Sequence, residues 1–339
     1  MTVVTDKSDT RRVSGKPRVI VTRRLLPDTE ARMGDLFDVT LNEQDKPMSR
    51  AELIDAVRSC DVLVPTVTDT IDRDLIDAAG ERLGLIANFG AGVDHIDLAA
   101  ARQRRIMVTN TPGVFTEDTA DMTMALIIST TRRFSEGFRA VQEGRWSGWS
   151  PSAYLGHRIG GKLLGIVGMG RIGQAVAHRA RAFGLRIVYH NRHPLPEAVE
   201  NMLAARFEPD LDKLVAEADI LSLNCPATPE THHILDARRI ALMKQGAYLV
   251  NAGRGELVDE KALIAALAEG RLGGAGLDVY ENEPDVPAAL LKLPNVIAMP
   301  HLGSATEEGR GAAGEKIIAN IRFWADGHRP PDQVLDTLI

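Results

Sequence analysis

Short apolar runs recur along the chain, separated by stretches whose apolar positions return every three or four residues. In the N-terminal part the runs are Val19-Ile20-Val21, Val62-Leu63-Val64, Leu85-Ile86-Ala87 and Ile106-Met107-Val108. They are apolar at consecutive positions rather than alternate ones, the pattern of parallel strands covered on both faces. Helices are predicted between them, for example over 49–58 and 72–79. The stretch Thr109-Asn110-Thr111-Pro112-Gly113 breaks this series. Residues 116–132 then read as one long helix, entered through Thr116, Glu117 and Asp118, where oxygen acceptors and negative charge are favoured.

A second series begins near residue 160. Strands are predicted at 163–167, 186–189, 220–223, 248–250, 276–279 and 296–298, with helices between most of them, such as 258–269 stopped by Gly270. Near the end, Ser304-Ala305-Thr306-Glu307 has capping-box form and is predicted to open a helix running to about 326. Strand–helix alternation of this kind predicts an α/β protein built on doubly wound parallel sheets. A length of 339 residues exceeds what one core usually organises, so two similar units are expected, the last helix returning to the first. Residues 1 to about 16, rich in Ser, Thr, Asp and Arg, read as a frayed leader.

Composition narrows the function. Forty Lys and Arg against 46 Asp and Glu give a net charge of −6, which argues against nucleic acid or an acidic membrane surface as partner. Cys60 and Cys225 are the only cysteines, far apart and in no metal-ligand spacing, so neither a disulfide framework nor a metal site is expected. The polar N-terminus lacks the apolar core of a secretory signal, and no apolar run approaches the ~18 residues that span a bilayer. A cytoplasmic location is the expectation.

Gly168-Met169-Gly170-Arg171-Ile172-Gly173 is a G-x-G-x-x-G. It directly follows one predicted strand and opens the helical stretch 171–183, the setting that dinucleotide binding requires. The first glycine permits the turn, the second lets pyrophosphate approach the backbone, and the third lets helix and strand pack closely. Free N–H groups at the helix start then face the phosphates. An acid about 20 residues further on would bind the ribose 2′-hydroxyl of NAD. Eighteen residues past Gly173 stands Asn191 instead, followed by Arg192. An amide does not repel a 2′-phosphate and an arginine pairs with one, so NADP(H) is expected over NAD(H), which stays possible.

Three segments carry residues that a folded core does not need, each after a predicted strand of the second unit. They are Asn251-Ala252-Gly253-Arg254-Gly255, Glu281-Asn282-Glu283-Pro284 and Pro300-His301-Leu302-Gly303-Ser304. Ligands bind such sheets at the carboxyl edge. An arginine to clamp a carboxylate, a histidine to protonate a carbonyl oxygen and an acid to keep that histidine charged are what ketoacid reduction needs.

On these segments, and on Asn88-Phe89-Gly90-Ala91-Gly92-Val93-Asp94-His95-Ile96-Asp97 and Gly276-Leu277-Asp278-Val279, the chain resembles the D-isomer-specific 2-hydroxyacid dehydrogenases. Within them it is most similar to the glyoxylate/hydroxypyruvate reductases. The matching segments extend over most of residues 60 to 325. The resemblance implies two Rossmann-like domains, a flavodoxin-like substrate domain over 1–113 plus 307–339 and a dinucleotide-binding domain over 114–306, with the site in a cleft between them. It implies Arg254, Glu283 and His301 as catalytic triad, and backbone amides around Ala91, Gly92 and Val93 as grip for the substrate carboxylate. It further implies Asp278 near the nicotinamide carboxamide, with Thr116, Cys225, Pro226, Thr231, Ala252, Gly253 and Gly303 along the cofactor. A homodimer is implied too, with Trp149 reaching the partner's active site or serving only in dimer packing.

Two further histidine positions draw attention. The adjacent His232-His233 reads as a solvated pair whose side chains diverge, since zinc motifs space histidines by three or four. His95 reads as structural. The substrates expected are small 2-ketoacids, glyoxylate and hydroxypyruvate first. A D-3-phosphoglycerate or phenylpyruvate type of dehydrogenase is the nearer alternative, although a chain stopping at Ile339 leaves no room for the regulatory domain many of the former carry. Formate dehydrogenases have glutamine where Glu283 stands. A cofactor-sensing scaffold similar to the C-terminal-binding-protein corepressors is the alternative from another class.

Overall fold

The structure is a computed structural model that describes residues 15–337, except the side chain of Asp336. The frayed leader expected over 1 to about 16 lies almost wholly outside the described residues. The chain divides into two units, one of residues 1–115 with 306–339 and one of residues 116–305.

The first unit is built on five parallel strands: β1 (Arg18–Val21), β2 (Asp38–Thr40), β3 (Val62–Val64), β4 (Leu85–Ala87) and β5 (Met107–Thr109). Their order is β2-β1-β3-β4-β5, that of a flavodoxin-like sheet. Alternate residues of β1, β3, β4 and β5 enter different cores, which is why the predicted runs are apolar throughout. Leu63 and Ile86 pack with Leu53, Leu75 and Ile106 on one face. Val62, Val64 and Leu85 pack with Ile317, Ile321 and Trp324 of the helix Glu307–Ala325 on the other. A Cβ on Gly84 would fall 2.5 Å from the Trp324 ring, so the C-terminal helix lies tightly on this sheet.

The second unit is a seven-stranded parallel sheet, ordered β12-β11-β10-β9-β6-β7-β8. Its strands are β6 (Leu163–Val167), β7 (Arg186–His190), β8 (Ala205–Phe207), β9 (Ile220–Leu223), β10 (Tyr248–Asn251), β11 (Gly274–Leu277) and β12 (Val296–Ala298). Strand β6 pairs with β7 on one side and β9 on the other. The winding reverses there, so the carboxyl end of β6 is the topological switch point where such sheets take ligands. Both faces are again buried, Leu221, Leu249 and Leu277 on one and Ile166, Tyr189 and Val250 on the other.

Several features differ from expectation, and three have a plain physical reason. The final helix is capped by Thr306, whose side chain accepts the N–H of Gly309 at 2.9 Å, and not by Ser304. Strand β11 covers Gly274–Leu277 rather than 276–279, its early residues being small because a helix presses on them. A Cβ on Gly276 would lie 2.6 Å from Thr130 Oγ1 in the helix Thr116–Thr131. Strands β2 and β8, three residues each at sheet edges, carry no continuous apolar run and were not predicted. Among the described residues no helix is long and apolar enough to cross a membrane.

Candidate active site

The glycine loop leaves the carboxyl end of β6 and enters the helix Arg171–Ala182. Each glycine has its own reason. Gly168 has φ +96°, and a Cβ there would lie 2.5 Å from the backbone nitrogen of Cys225. A Cβ on Gly173 would sit 2.3 Å from the Gly168 carbonyl oxygen. Gly170 alone has nothing within 4 Å of where its Cβ would be. No side chain caps the helix that Gly170 begins. A glycine facing open space at an uncapped helix start fits the pyrophosphate of a dinucleotide, whose charge the free N–H groups and helix dipole favour.

Met169 donates its N–H to Asn191 Oδ1 at 2.7 Å, at the end of β7. The side-chain oxygen of Asn191 is thereby committed to the loop, and its remaining polar group is a donor. Arg192 next to it is exposed, with the charge of Glu230 nearby. On the other flank, the turn after β9 holds Cys225, Pro226 and Thr231. Thr231 Oγ1 donates to the Pro226 carbonyl at 2.8 Å and accepts the Thr228 N–H at 2.8 Å. Burial pushes the Cys225 thiol up to about 11, so it is a neutral wall at ordinary pH.

Arg254, Glu283 and His301 follow β10, β11 and β12, three neighbours in the sheet. The Arg254 turn is organised by Asn251, whose Oδ1 accepts the Gly253 N–H at 3.0 Å and whose Nδ2 donates to the Arg254 carbonyl at 2.8 Å. Gly255 is obligatory, because a Cβ on it would fall 1.9 Å from the carbonyl carbon and oxygen of Tyr280. Glu283 Oε2 meets His301 Nδ1 at 2.8 Å, while Oε1 accepts the Tyr280 N–H at 3.0 Å. Burial raises the Glu283 carboxyl, but the hydrogen bond and charge of His301, the Tyr280 N–H and the charge of Arg254 outweigh it. Its pKa is lowered from the ordinary 4.5.

His301 has φ +54°, a left-handed backbone that a non-glycine residue adopts only where its surroundings impose it. The surroundings are Asp278, 1% exposed. Its carbonyl accepts the His301 N–H at 2.9 Å, and its carboxylate oxygens accept those of Leu302 and Gly303, each at 2.7 Å. The Gly303 carbonyl in turn accepts from Thr119 Oγ1 at 2.9 Å. Thr116 starts that same helix.

In the first unit, the loop after β4 turns its carbonyls inward. Asn88 Nδ2 donates to the carbonyls of Gly90 and Gly92 at 3.1 and 2.8 Å, and Asn110 Nδ2 to that of Ala91 at 2.7 Å. His95 Nε2 bonds Asn88 Oδ1 at 3.0 Å, so it serves the loop through Asn88. Trp149 is 85% exposed, on a segment with other exposed aromatics.

The expectation that the His232 and His233 side chains diverge is wrong. The rings stack with centroids 4.1 Å apart, because His233 takes φ +47°, and His233 Nε2 is bonded to Glu281 Oε1.

The chain matches the family model described as D-isomer specific 2-hydroxyacid dehydrogenase, NAD binding domain, over residues 124–303. It is 43% identical to a glyoxylate reductase of Thermococcus litoralis, over 94% of this chain and 97% of the relative. A glyoxylate reductase of Korarchaeum cryptofilum is 44% identical over 94% and 96% of the two chains. Among solved structures, an NADPH-dependent glyoxylate/hydroxypyruvate reductase from Sinorhizobium meliloti, in complex with NADP and malonate, superposes with a TM-score of 0.84. It is 34% identical, and the match covers 95% of this chain and 98% of that one. This chain therefore belongs to the D-isomer-specific 2-hydroxyacid dehydrogenases.

Proposed function

We propose that the protein reduces small 2-ketoacids, glyoxylate to glycolate and hydroxypyruvate to D-glycerate, preferring NADPH and accepting NADH less well. The observation that carries this reading is the 2.8 Å bond between Glu283 and His301 on adjoining turns of one sheet edge. When bound, the nicotinamide supplies the hydride. His301 supplies the proton to the carbonyl oxygen as negative charge develops there. Glu283, ionised because its pKa is lowered, favours the protonated ring and fixes its orientation through Nδ1, which turns Nε2 toward the substrate. Arg254 binds the substrate carboxylate through its planar fork.

The NADPH preference rests on the ribose end of the loop. With Asn191 Oδ1 engaged by Met169, what Asn191 and Arg192 offer a ligand is donors and positive charge, suited to a 2′-phosphate. A homodimer is proposed through the exposed apolar face of Phe134, Phe138 and Val141 on the helix Phe134–Gln142, continued by Trp146, Trp149 and Leu155. A cytoplasmic location is proposed from the two free cysteines. The test is an initial-rate matrix of glyoxylate, hydroxypyruvate, pyruvate and phenylpyruvate, each with NADPH and NADH. Turnover fastest with the first two and NADPH is expected. Dinucleotide binding without turnover would point to a scaffold instead.

A further inference from the structure

His233 lies outside the triad, yet it is tied to both segments that carry Arg254 and Glu283. Its backbone N–H donates to the Glu256 carbonyl at 2.8 Å, two residues past Arg254. Leu235 repeats the link, giving its N–H to the Leu257 carbonyl at 3.0 Å. The His233 ring reaches across to Glu281, two residues before Glu283. Glu281 is fixed at its backbone as well, its N–H held by the carboxyl of Glu260, which is buried beneath it. His232 stacks on the ring.

Between these two anchors lies the tightest approach at the sheet edge, that of Gly255 to the Tyr280–Glu281 peptide. A Cβ there would be 1.9 Å from the Tyr280 carbonyl and 2.4 Å from the Glu281 nitrogen. Two backbones held so closely shift together or not at all. On the Glu283 side the peptide is already braced by the bonds of Glu283 to Tyr280 and His301. On the Arg254 side Asn251 organises the turn itself, and His233 adds the bond to the Glu256 carbonyl just beyond it. The cost of a left-handed backbone at a non-glycine residue also calls for an interaction that holds it.

We propose that His233 and Glu281 form a second histidine–carboxylate pair whose task is positional: it seats the Arg254 turn against the Tyr280–Glu281 peptide so that the guanidinium meets the substrate carboxylate. The pair touches neither substrate nor cofactor. It rests on the ketoacid-reductase reading above, and deepens it by adding residues on which substrate capture depends.

The test uses the full chain with NADPH and glyoxylate. His233→Asn suits it, because asparagine tolerates the left-handed backbone yet is too short to reach Glu281. Glu281→Ala removes the other partner, and Glu281→Gln keeps an acceptor for the ring N–H. His233→Asn and Glu281→Ala should each raise the glyoxylate KM about tenfold, with a smaller change in kcat, because misplacing a carboxylate clamp costs binding first. Their combination should be no worse than either alone, as for two halves of one interaction. Glu281→Gln should recover most of the loss. Melting temperature and NADPH affinity, read by cofactor fluorescence, should stay near the parent. A parental KM in either single variant, additive losses in the double, or NADPH affinity and stability falling in step with KM would each overturn the proposal. A parent that turns over no ketoacid removes the function reading together with the pair's role, whereas an active parent with unaffected variants removes only the pair.

Discussion

Asp278 holds His301 by its backbone: one carbonyl and two carboxylate oxygens take three successive N–H groups, from His301, Leu302 and Gly303, at 2.9, 2.7 and 2.7 Å. These bonds keep His301 at φ +54° and so aim the ring that meets Glu283. Burial is the first influence on Asp278 and raises its pKa, against the two N–H bonds to the carboxylate and the charge of His301. Asp278→Asn keeps the shape but sets an NH2 against one of the two N–H groups. A buried donor left without an acceptor costs about 1–3 kcal/mol. A lower melting temperature and a kcat loss exceeding any loss of NADPH affinity are expected. An unchanged kcat would remove Asp278 from control of the histidine.

The three loop glycines should separate by readout. Gly170→Ala meets no protein atom, so its melting temperature should match the parent while dinucleotide affinity falls at least about tenfold, the added methyl occupying space for the pyrophosphate. Gly173→Ala drives a Cβ into the Gly168 carbonyl oxygen, which cannot swing away as a side chain would. Destabilisation of roughly 1–3 kcal/mol or more is expected, as for overpacking. Thermal unfolding with and without NADPH checks both. Equal melting temperatures for the two variants would contradict this division.

What was legible in the sequence follows from where burial is complete. β3, β4 and β6 are covered on both faces, so they hold only apolar residues and glycine and stand out, and β1 and β9 depart from this only at Arg18 and Ser222. β2 and β8 are half exposed at sheet edges and carry Asp38 and Arg206, which hides them. Arg254, Glu283 and His301 were readable because polar side chains of these types in the turns that follow buried strands are not needed to fill a core. His233 was not readable. Its partner is 48 positions away, and its role depends on a left-handed backbone that HH in a sequence does not announce. The cap at Thr306 was missed for a similar reason: Ser304 follows a turn already committed to Asp278.

Cofactor choice should turn on Arg192. NADPH should give the higher kcat/KM, and Arg192→Ala should erode the preference mainly through cofactor KM. Loss of a charge-assisted bond to a phosphate is worth about 1.5–3 kcal/mol, or roughly ten- to hundredfold. Glu230, whose carboxyl is lowered by bonding to Thr228 and by the charge of Arg192, sits on the same side. Kinetics with both cofactors decide the matter, and equal use of NADPH and NADH by the parent would sink the assignment.

Arg254→Lys keeps a positive charge but loses the fork, and the Gly255 turn leaves no slack to bring the shorter side chain's ammonium to the same place. A fall in glyoxylate kcat/KM of about a hundredfold is expected, consistent with a misplaced clamp. Near-normal efficiency would mean that the carboxylate is bound elsewhere.

The Glu283–His301 pair carries the sharpest expectation. A carboxyl whose folded pKa lies below its ordinary 4.5 contributes stability above that value and loses it as pH falls through the depressed one. The paired, ionised form should therefore persist through the whole neutral range, and any acid limb in kcat/KM should lie below the usual carboxylate range. Reduction also needs a proton for the carbonyl oxygen, which His301 is placed to give. His301→Ala should cost roughly a hundred- to ten-thousandfold, the usual worth of a general acid. Glu283→Gln keeps the shape, and its amide oxygen can still accept a ring N–H, but the charge that favours the protonated ring is gone. Its kcat/KM should therefore fall, though by less than for His301→Ala, with little change in NADPH affinity, and the acid limb should vanish with the carboxyl that causes it. Profiles of kcat/KM for glyoxylate against pH from the parent and Glu283→Gln provide the measurement. Should Glu283→Gln keep the parent's efficiency and its acid limb, the charge of Glu283 does not support proton donation by His301, and the acid in this site must be sought elsewhere.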